Sequence, residues 1–193
     1  RDCLLSRGLG DVYKRQVKHN EANGWQNSDG TNDNYSWNCG AEGPTRKKGI
    51  LRLREQQMRN AFFLLLMAQG TPCILAGDEF ANSQNGNNNV YCQDNETAWV
   101  DWKRAAKEQW LTDYVRKLIQ FRKAHKTLHP STECQGIDLA RCGVPDISYH
   151  GENAWQVPNE IASRQLGVFY SGAGKGEDDL YIAYNMHWED HTF

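Results

Sequence analysis

A chain of 193 residues is long enough to bury most of its apolar surface around an ordinary core, so its length does not call for disulfides or a structural metal. Counted without Tyr and with Gly, the apolar share is roughly 44%, near the ~45–50% of globular proteins, which excludes disorder over the whole length. The 22 basic and 24 acidic residues leave a net charge of -2, a balance that sets up no field for concentrating nucleic acid or an anionic membrane.

Six Cys without any C-x-x-C pair fall far below a disulfide scaffold and read as reduced thiols. The apolar run from Ala61 to Ala68 is too short to cross a bilayer, and the first residues show no signal-peptide arrangement. The expectation is a soluble cytoplasmic protein with no membrane partner.

From Val17 to Gly43 the chain is rich in Asn, Asp, Gly, Ser and Trp and follows neither helical nor strand periodicity. Trp25, Tyr35 and Trp37 favour an ordered loop whose aromatics pack or face a ligand. A helix follows, with Thr45 as N-cap and Ile50, Leu53, Gln57, Ala61, Leu64 and Ala68 on one face, while Arg52, Arg54, Glu55 and Arg59 take the other side. Its second half is apolar all round and should be covered on both sides; Gly70 and Pro72 end it.

Cys73-Ile74-Leu75-Ala76 reads as a short strand buried on both faces, ending in Gly77-Asp78-Glu79-Phe80. A second Asn-rich loop runs from Asn82 to Trp102. A helix from about Glu108 to His125 then places Leu111, Tyr114, Leu118 and Phe121 on one face. The order helix, buried strand, loop, helix is a βα pattern, so the expected fold class is α/β. After a break near residues 127–135, Gly136, Gly143, Pro145 and Pro158 punctuate short strand-forming segments. Leu166 to Tyr170 and Leu180 to Asn185 read as antiparallel strands joined by a turn.

Asp78 and Glu79 lie beyond the carboxyl end of a buried strand, where βα folds place ligands. If they continue the strand they point to opposite faces, so they cannot flank one scissile bond as a glycosidase pair does. The loop Asn85 to Glu96 offers amides, a carboxylate and an aromatic ring together. Amides both donate to and accept from sugar hydroxyls, and ring faces cover the C–H side of a pyranose.

Other constellations fail. Gly172-Ala173-Gly174-Lys175-Gly176 lacks the Ser/Thr, spacing and following helix of a phosphate loop. His187 and His191 have no third metal ligand placed by sequence, and Cys92 has no neighbouring His base. Neither cofactor nor metal is expected.

Four long stretches carry a resemblance to a known family. They are Lys18-His19-Asn20-Glu21-Ala22-Asn23-Gly24, then Asp29 to Gly40 with Glu42-Gly43-Pro44-Thr45, then Gln69-Gly70-Thr71-Pro72 with Ala76 to Phe80, and Gly86 to Asn89 with Tyr91 to Glu96. In this order they resemble the isoamylase-type glycogen debranching enzymes of the alpha-amylase superfamily. Val144 to Gly151 and Tyr184 to Trp188 resemble the C-terminal domain of bacterial members.

The resemblance implies the C-terminal part of a TIM (β/α)8 barrel over residues 17–128, from the loop after the seventh strand through the eighth helix. It implies the start of an all-β sandwich domain over residues 129–193. Family chemistry is retaining hydrolysis of α-1,6 branch linkages in glycogen, amylopectin or limit dextrin, by an Asp nucleophile, a Glu acid/base and a second Asp. None of the three falls on this sequence. The first two belong to earlier strands, and the third belongs to a His-Asp motif just before Lys18. Residues 1–16 contain no His-Asp and do not resemble the family, so a non-native segment is expected there, with neither Asp2 nor Asp11 catalytic. The residues left to line a glucan cleft are Asn20, Glu21, Asn34, Trp37, Glu79, Tyr91 and Asp94. The isolated chain is expected to be inactive. The alternatives are a pullulanase-like or transglycosylating relative, or a non-catalytic carbohydrate-binding module built from about residue 130 onward.

Overall fold

Strand β1 (Cys3–Leu5) pairs in parallel with β2 (Thr71–Cys73), in the register Cys3 to Thr71 and Leu5 to Cys73. In this computed structural model the described residues are 3–5, by backbone alone, together with 8–157 and 163–193. Asp2 and Pro158 among the sequence expectations lie outside them. The chain divides into two compact units, residues 1–121 and 122–193, upstream of the 127–135 break read from the sequence.

In the first unit, β1 is followed by the short helix α1 (Leu9–Val12) and the long helix α2 (Lys48–Met67) before β2. Parallel strands need such a crossover, because a hairpin cannot join them. The expected strand at Cys73–Ala76 is displaced: β2 begins at Thr71, Leu75 is 43% exposed and Ala76 is exposed too. Burial on both faces requires neighbours on both edges and layers above and below, and among the described residues β2 pairs with β1 alone. The chain then turns at Gly77 (φ 95°), where a Cβ would meet Asn82 Cβ at 2.6 Å, and enters a 3-10 turn, Asp78–Phe80. Asp78 and Glu79 therefore do not continue a strand, as the sequence reading assumed.

Helix α2 forms from a run after Gly49 in which every residue but Asn60 is straight-chain or apolar. Its buried stripe is Arg54, Met58, Phe62 and Leu66, spaced by four, with Met67 beside it. The face expected from Ile50, Leu53, Gln57 and Ala61 is only half-buried, and Leu64 is exposed. The stripe lies one residue round because Arg54, expected on the polar side, is drawn inward by loop carbonyls. Thr45 does not cap α2. Its Oγ1 accepts from Lys47 N at 3.2 Å, tying the turn before the helix, and Lys47 occupies the N-cap position without a side-chain bond.

Helix α3 (Trp102–Lys107) was not read from the sequence. Its signal was Asp101, whose Oδ1 accepts from Lys103 N at 3.0 Å and Arg104 N at 3.3 Å. Helix α4 (Gln109–Ala124) buries Leu111, Val115 and Leu118, while Tyr114 is half-buried and Phe121 exposed, a rotation from the expected face. Tyr114 Oη donates to Arg59 O at 3.4 Å and the Arg59 guanidinium lies 4.9 Å from the Trp110 ring centroid, so α2 and α4 lie side by side.

The second unit is an antiparallel sheet, β3 (Ile147–His150), β4 (Gln165–Tyr170) and β5 (Leu180–Asn185), in that spatial order. The latter two match the strands expected from alternation; β3 is an addition to them. Val168, Tyr170 and Ile182 are buried on this sheet, and burial pushes the Tyr170 hydroxyl above its ordinary range, helped by Tyr184 and Tyr149. Between β4 and β5, Lys175 Nζ donates to Ser171 O and Asp179 Oδ1 accepts from Gly172 N at 2.8 Å. The glycine-rich segment is thus a hairpin connection. Among the described residues, no helix is long and apolar enough to cross a membrane.

Candidate functional site

The two Asn-rich loops are joined side chain to side chain. Asn20 is completely buried, and its amide is engaged at both ends within the protein: Nδ2 donates to Asp29 O at 2.9 Å and Asn88 Oδ1 at 2.8 Å, and Oδ1 accepts from Asn88 N at 3.0 Å. Asn23 donates to Asp29 Oδ2 at 2.7 Å and to Asn89 O at 2.8 Å, and accepts from Asn87 Nδ2 and Gln93 Nε2, each at 2.9 Å. Asn88 Nδ2 reaches Thr31 O at 2.9 Å and Asn34 Oδ1 at 3.2 Å. Amides suit such a lattice because each is donor and acceptor at once.

Asp29 is the charged member. The hydrogen bond from Asn23, with that from Asn89 at 3.0 Å, holds its carboxyl below the ordinary carboxylate range against partial desolvation. Lys18 Nζ donates to its main-chain oxygen at 2.7 Å. Local geometry leaves no room here: Gly30 has φ 71°, and a Cβ would stand 2.3 Å from Asn88 Oδ1.

A second cluster supports the far end of the first loop. Glu42 accepts from Gln16 N at 2.9 Å, from Asn38 Nδ2 at 3.3 Å and meets His19 Nε2 at 3.3 Å. Desolvation raises its pKa, but the bonds from Gln16, His19 and Asn38 outweigh it and leave the group below its ordinary value. Arg54, buried on α2, donates to Gly43 O and Asn38 O, each at 2.9 Å, and also to Ala41 O, clamping this loop end to the helix.

The candidate residues are distributed unevenly around this framework. Asn20 and Asn34 are brought together through Asn88. Glu21, exposed at the start of the 3-10 turn Glu21–Asn23, and Tyr91, 70% exposed in the turn Val90–Cys92, lie on segments joined by Gln93 Nε2 to Ala22 O at 3.0 Å. Asp94 accepts from Trp99 Nε1 at 3.0 Å. Trp37 is held apart, with its backbone N donating to Val12 O, and Glu79 Oε2 turns back onto Gly77 N at 3.0 Å. The buried Asp78 accepts from Gly8 N at 3.2 Å. Asn23 and Asp29 were not singled out by sequence reasoning, and Asn87 to Asn89 entered it only as part of the amide-rich loop 85–96; the density of amides was the available signal.

This chemistry suits binding. A general acid needs a raised pKa, yet Asp29 and Glu42 are both pushed down. Exposed rings at Trp25, Tyr35 and Tyr91 accompany the amide lattice. An open cleft of about 900 Å3 in the same unit is lined by Lys14, Arg15, Arg54, Lys103 and Arg104, and none of the candidate residues lines it. No group of three metal-ligating side chains exists among the described residues, and the five Cys described there are free thiols.

Solved structures that the chain resembles are pullulanases, and the shared fold is α/β. The Paenibacillus barengoltzii enzyme without ligand aligns with a TM-score of 0.55 at 23% identity, over 78% of this chain and 20% of that one. Its complex with maltohexaose and alpha-cyclodextrin aligns at 0.53 and 24% identity, over 69% of this chain and 19% of that one.

The sequence relationship is more specific. The chain is 39% identical over 201 aligned positions to the glycogen operon protein GlgX homologue of Mycobacterium tuberculosis, covering 96% of this chain and 28% of that protein. It is 36% identical to the chloroplastic isoamylase 1 of Arabidopsis thaliana, over 92% of this chain and 22% of that protein. A glycogen debranching enzyme of Enterobacter sp. is 46% identical over 64% of this chain and 19% of its own length. No family model matches. Over nearly all its length the chain is homologous to a segment of the isoamylase-type glycogen debranching enzymes, and it spans less than a third of the relatives compared.

Proposed function

We propose that the chain is a segment of a glycoside hydrolase that cleaves α-1,6 branch linkages in glycogen or starch with retention, and that its own residues form part of the glucan-binding wall. The single observation that carries this reading is the interlocked amide lattice with exposed rings, built from the same stretches that align with debranching enzymes. Such a wall can hold a neutral polyhydroxylated chain by exchanging amide–hydroxyl hydrogen bonds and stacking rings on pyranose faces. Glu21, Tyr91 and Asn34 are its sugar-facing groups, with Asp94 and Trp37 at its margins and Glu79 behind it. Asn20 acts from beneath, because its amide is already used.

In this reading residues 17–128 are the end of a βα barrel and residues 129–193 the beginning of a β-sandwich, in a cytoplasmic protein. Residues 1–16 stand outside the family pattern. The catalytic carboxylates lie on parts of the barrel that this sequence does not carry. The chain alone should therefore bind maltohexaose, measured by calorimetric titration, while releasing no linear oligosaccharide from glycogen. Without nucleophile and acid, nearly all transition-state stabilisation is missing. Absence of maltohexaose binding would overturn the glucan reading; release of linear chains would overturn the assignment of its residues to binding alone.

A further inference from the structure

We propose that Asp29 is a positioning residue that sets Tyr91 as a stacking platform for a glucosyl ring. The inference rests on the glucan reading for its ligand and on hydrogen-bond geometry for its mechanism. Tyr91 itself is mostly exposed. Its place is fixed by its chain neighbours on both sides. On one side, Asn89 donates Nδ2 to Asp29 Oδ2 at 3.0 Å and its carbonyl accepts from Asn23 Nδ2 at 2.8 Å. On the other, Gln93 Nε2 donates to Ala22 O at 3.0 Å and Asn23 Oδ1 at 2.9 Å.

Asn23 belongs to both brackets, and the same Asn23 Nδ2 donates to Asp29 Oδ2 at 2.7 Å. Asp29 thus joins the two supports of the Tyr91 turn through one oxygen atom. Amide donors from Asn23 and Asn89, with Asn20 Nδ2 more distant at 3.5 Å, converge on one oxygen, and a carboxylate is the stronger acceptor for such a cluster.

An amide is a weaker substitute: its neutral oxygen can face the same donors, as Asn23 Oδ1 does for two others in this lattice, but without a carboxylate's charge. The other carboxylate oxygen, Oδ1, is buried and has no hydrogen-bond partner among the described residues. In Asp29→Asn the new NH2 group must either face the donors of Asn23 and Asn89 or occupy the Oδ1 position without an acceptor. The first sets donor against donor and the second leaves a neutral oxygen as a weaker acceptor, so the lattice loosens on this side. The turn that carries the ring then samples many conformations, and the stacking surface loses its fixed place. Pre-organisation is what gives a single aromatic ring its value in binding.

The test uses the full 193-residue chain and maltohexaose, with hydrogen exchange as a readout that needs no ligand. Asp29→Asn should speed exchange of the amides at 89–93 at least tenfold and weaken maltohexaose binding about tenfold. Tyr91→Ala should weaken binding by a similar factor. In the double variant the loss should be no larger than in Tyr91→Ala alone, because positioning acts only through the ring. A merely structural role gives additive losses in the double variant, and that outcome overturns the proposal. Unchanged exchange at 89–93 overturns it as well. If Asp29→Asn does not fold, Asn89→Ala removes one support while leaving Asp29 and Tyr91 in place, and the same cycle applies. A wild-type chain that does not bind maltohexaose sinks the glucan reading, while the exchange measurement still decides whether Asp29 orders the turn.

Discussion

Arg54 directs its guanidinium into the seam between α2 and the loop 38–43, where main-chain carbonyls of Asn38, Ala41 and Gly43 accept from it. A charged residue on a helix normally faces water, so patterning alone assigns it to the outside. Replacing it by Met fills the space but leaves buried carbonyls unpaired. Arg54→Met should lower stability by about 2–3 kcal/mol, read from the urea midpoint. Lys14 poses the opposite case. Burial, and next the charge of Arg104, pushes it down to about 8 from its ordinary 10.5, with Asp11 and Glu108 opposing and Arg54 adding. Between those values the unfolded chain binds more protons than the folded one, so stability rises with pH across that window. Stability measured from pH 8 to 10 should climb in the natural chain and climb less in Lys14→Met. A half-buried lysine beside arginines is a local conflict, which fits the proposal that residues 1–16 stand outside the family pattern.

At the scale of elements, α3 depends on a single residue. Asp101 satisfies two of the free amides at its start, and the helix has only 6 residues in which to recover the cost of nucleation. Asp101→Ala should destabilise the chain by about 0.5–2 kcal/mol in chemical denaturation. Helix existence was legible for α2 and α4, because three-four spacing survives in a single sequence. Their buried faces were less legible. In α2 the inward face was decided by the Arg54 clamp, and in α4 Val115 displaced Tyr114 and Phe121. The β4–β5 hairpin was readable because apolar alternation and a turn-rich connection coincide there. For β2 the apolar run was readable but its pairing was not, since pairing depends on a strand more than sixty residues away in sequence.

For the molecule as a whole, the two compact units mean that composition described a typical globular chain without showing how it is divided. Relatives several times longer align with nearly the whole sequence. Activity in this reading is a property of the longer protein. Adding this chain to glycogen should therefore leave the reducing-end signal unchanged, even at concentrations that saturate maltohexaose binding.

Local sequence was enough for the two long helices, the second-unit hairpin, the density of amides in both loops and the resemblance to debranching enzymes. These features are local, and local spacing and composition record them. Which amide meets which was set by the folded path of the chain. It buried Asn20, made Asp29 the shared acceptor of Asn23 and Asn89, and turned Glu79 back onto its own loop. The reason is physical: a side-chain amide has the same donors and acceptors wherever it stands, so its partners follow from the path of the chain and not from its identity.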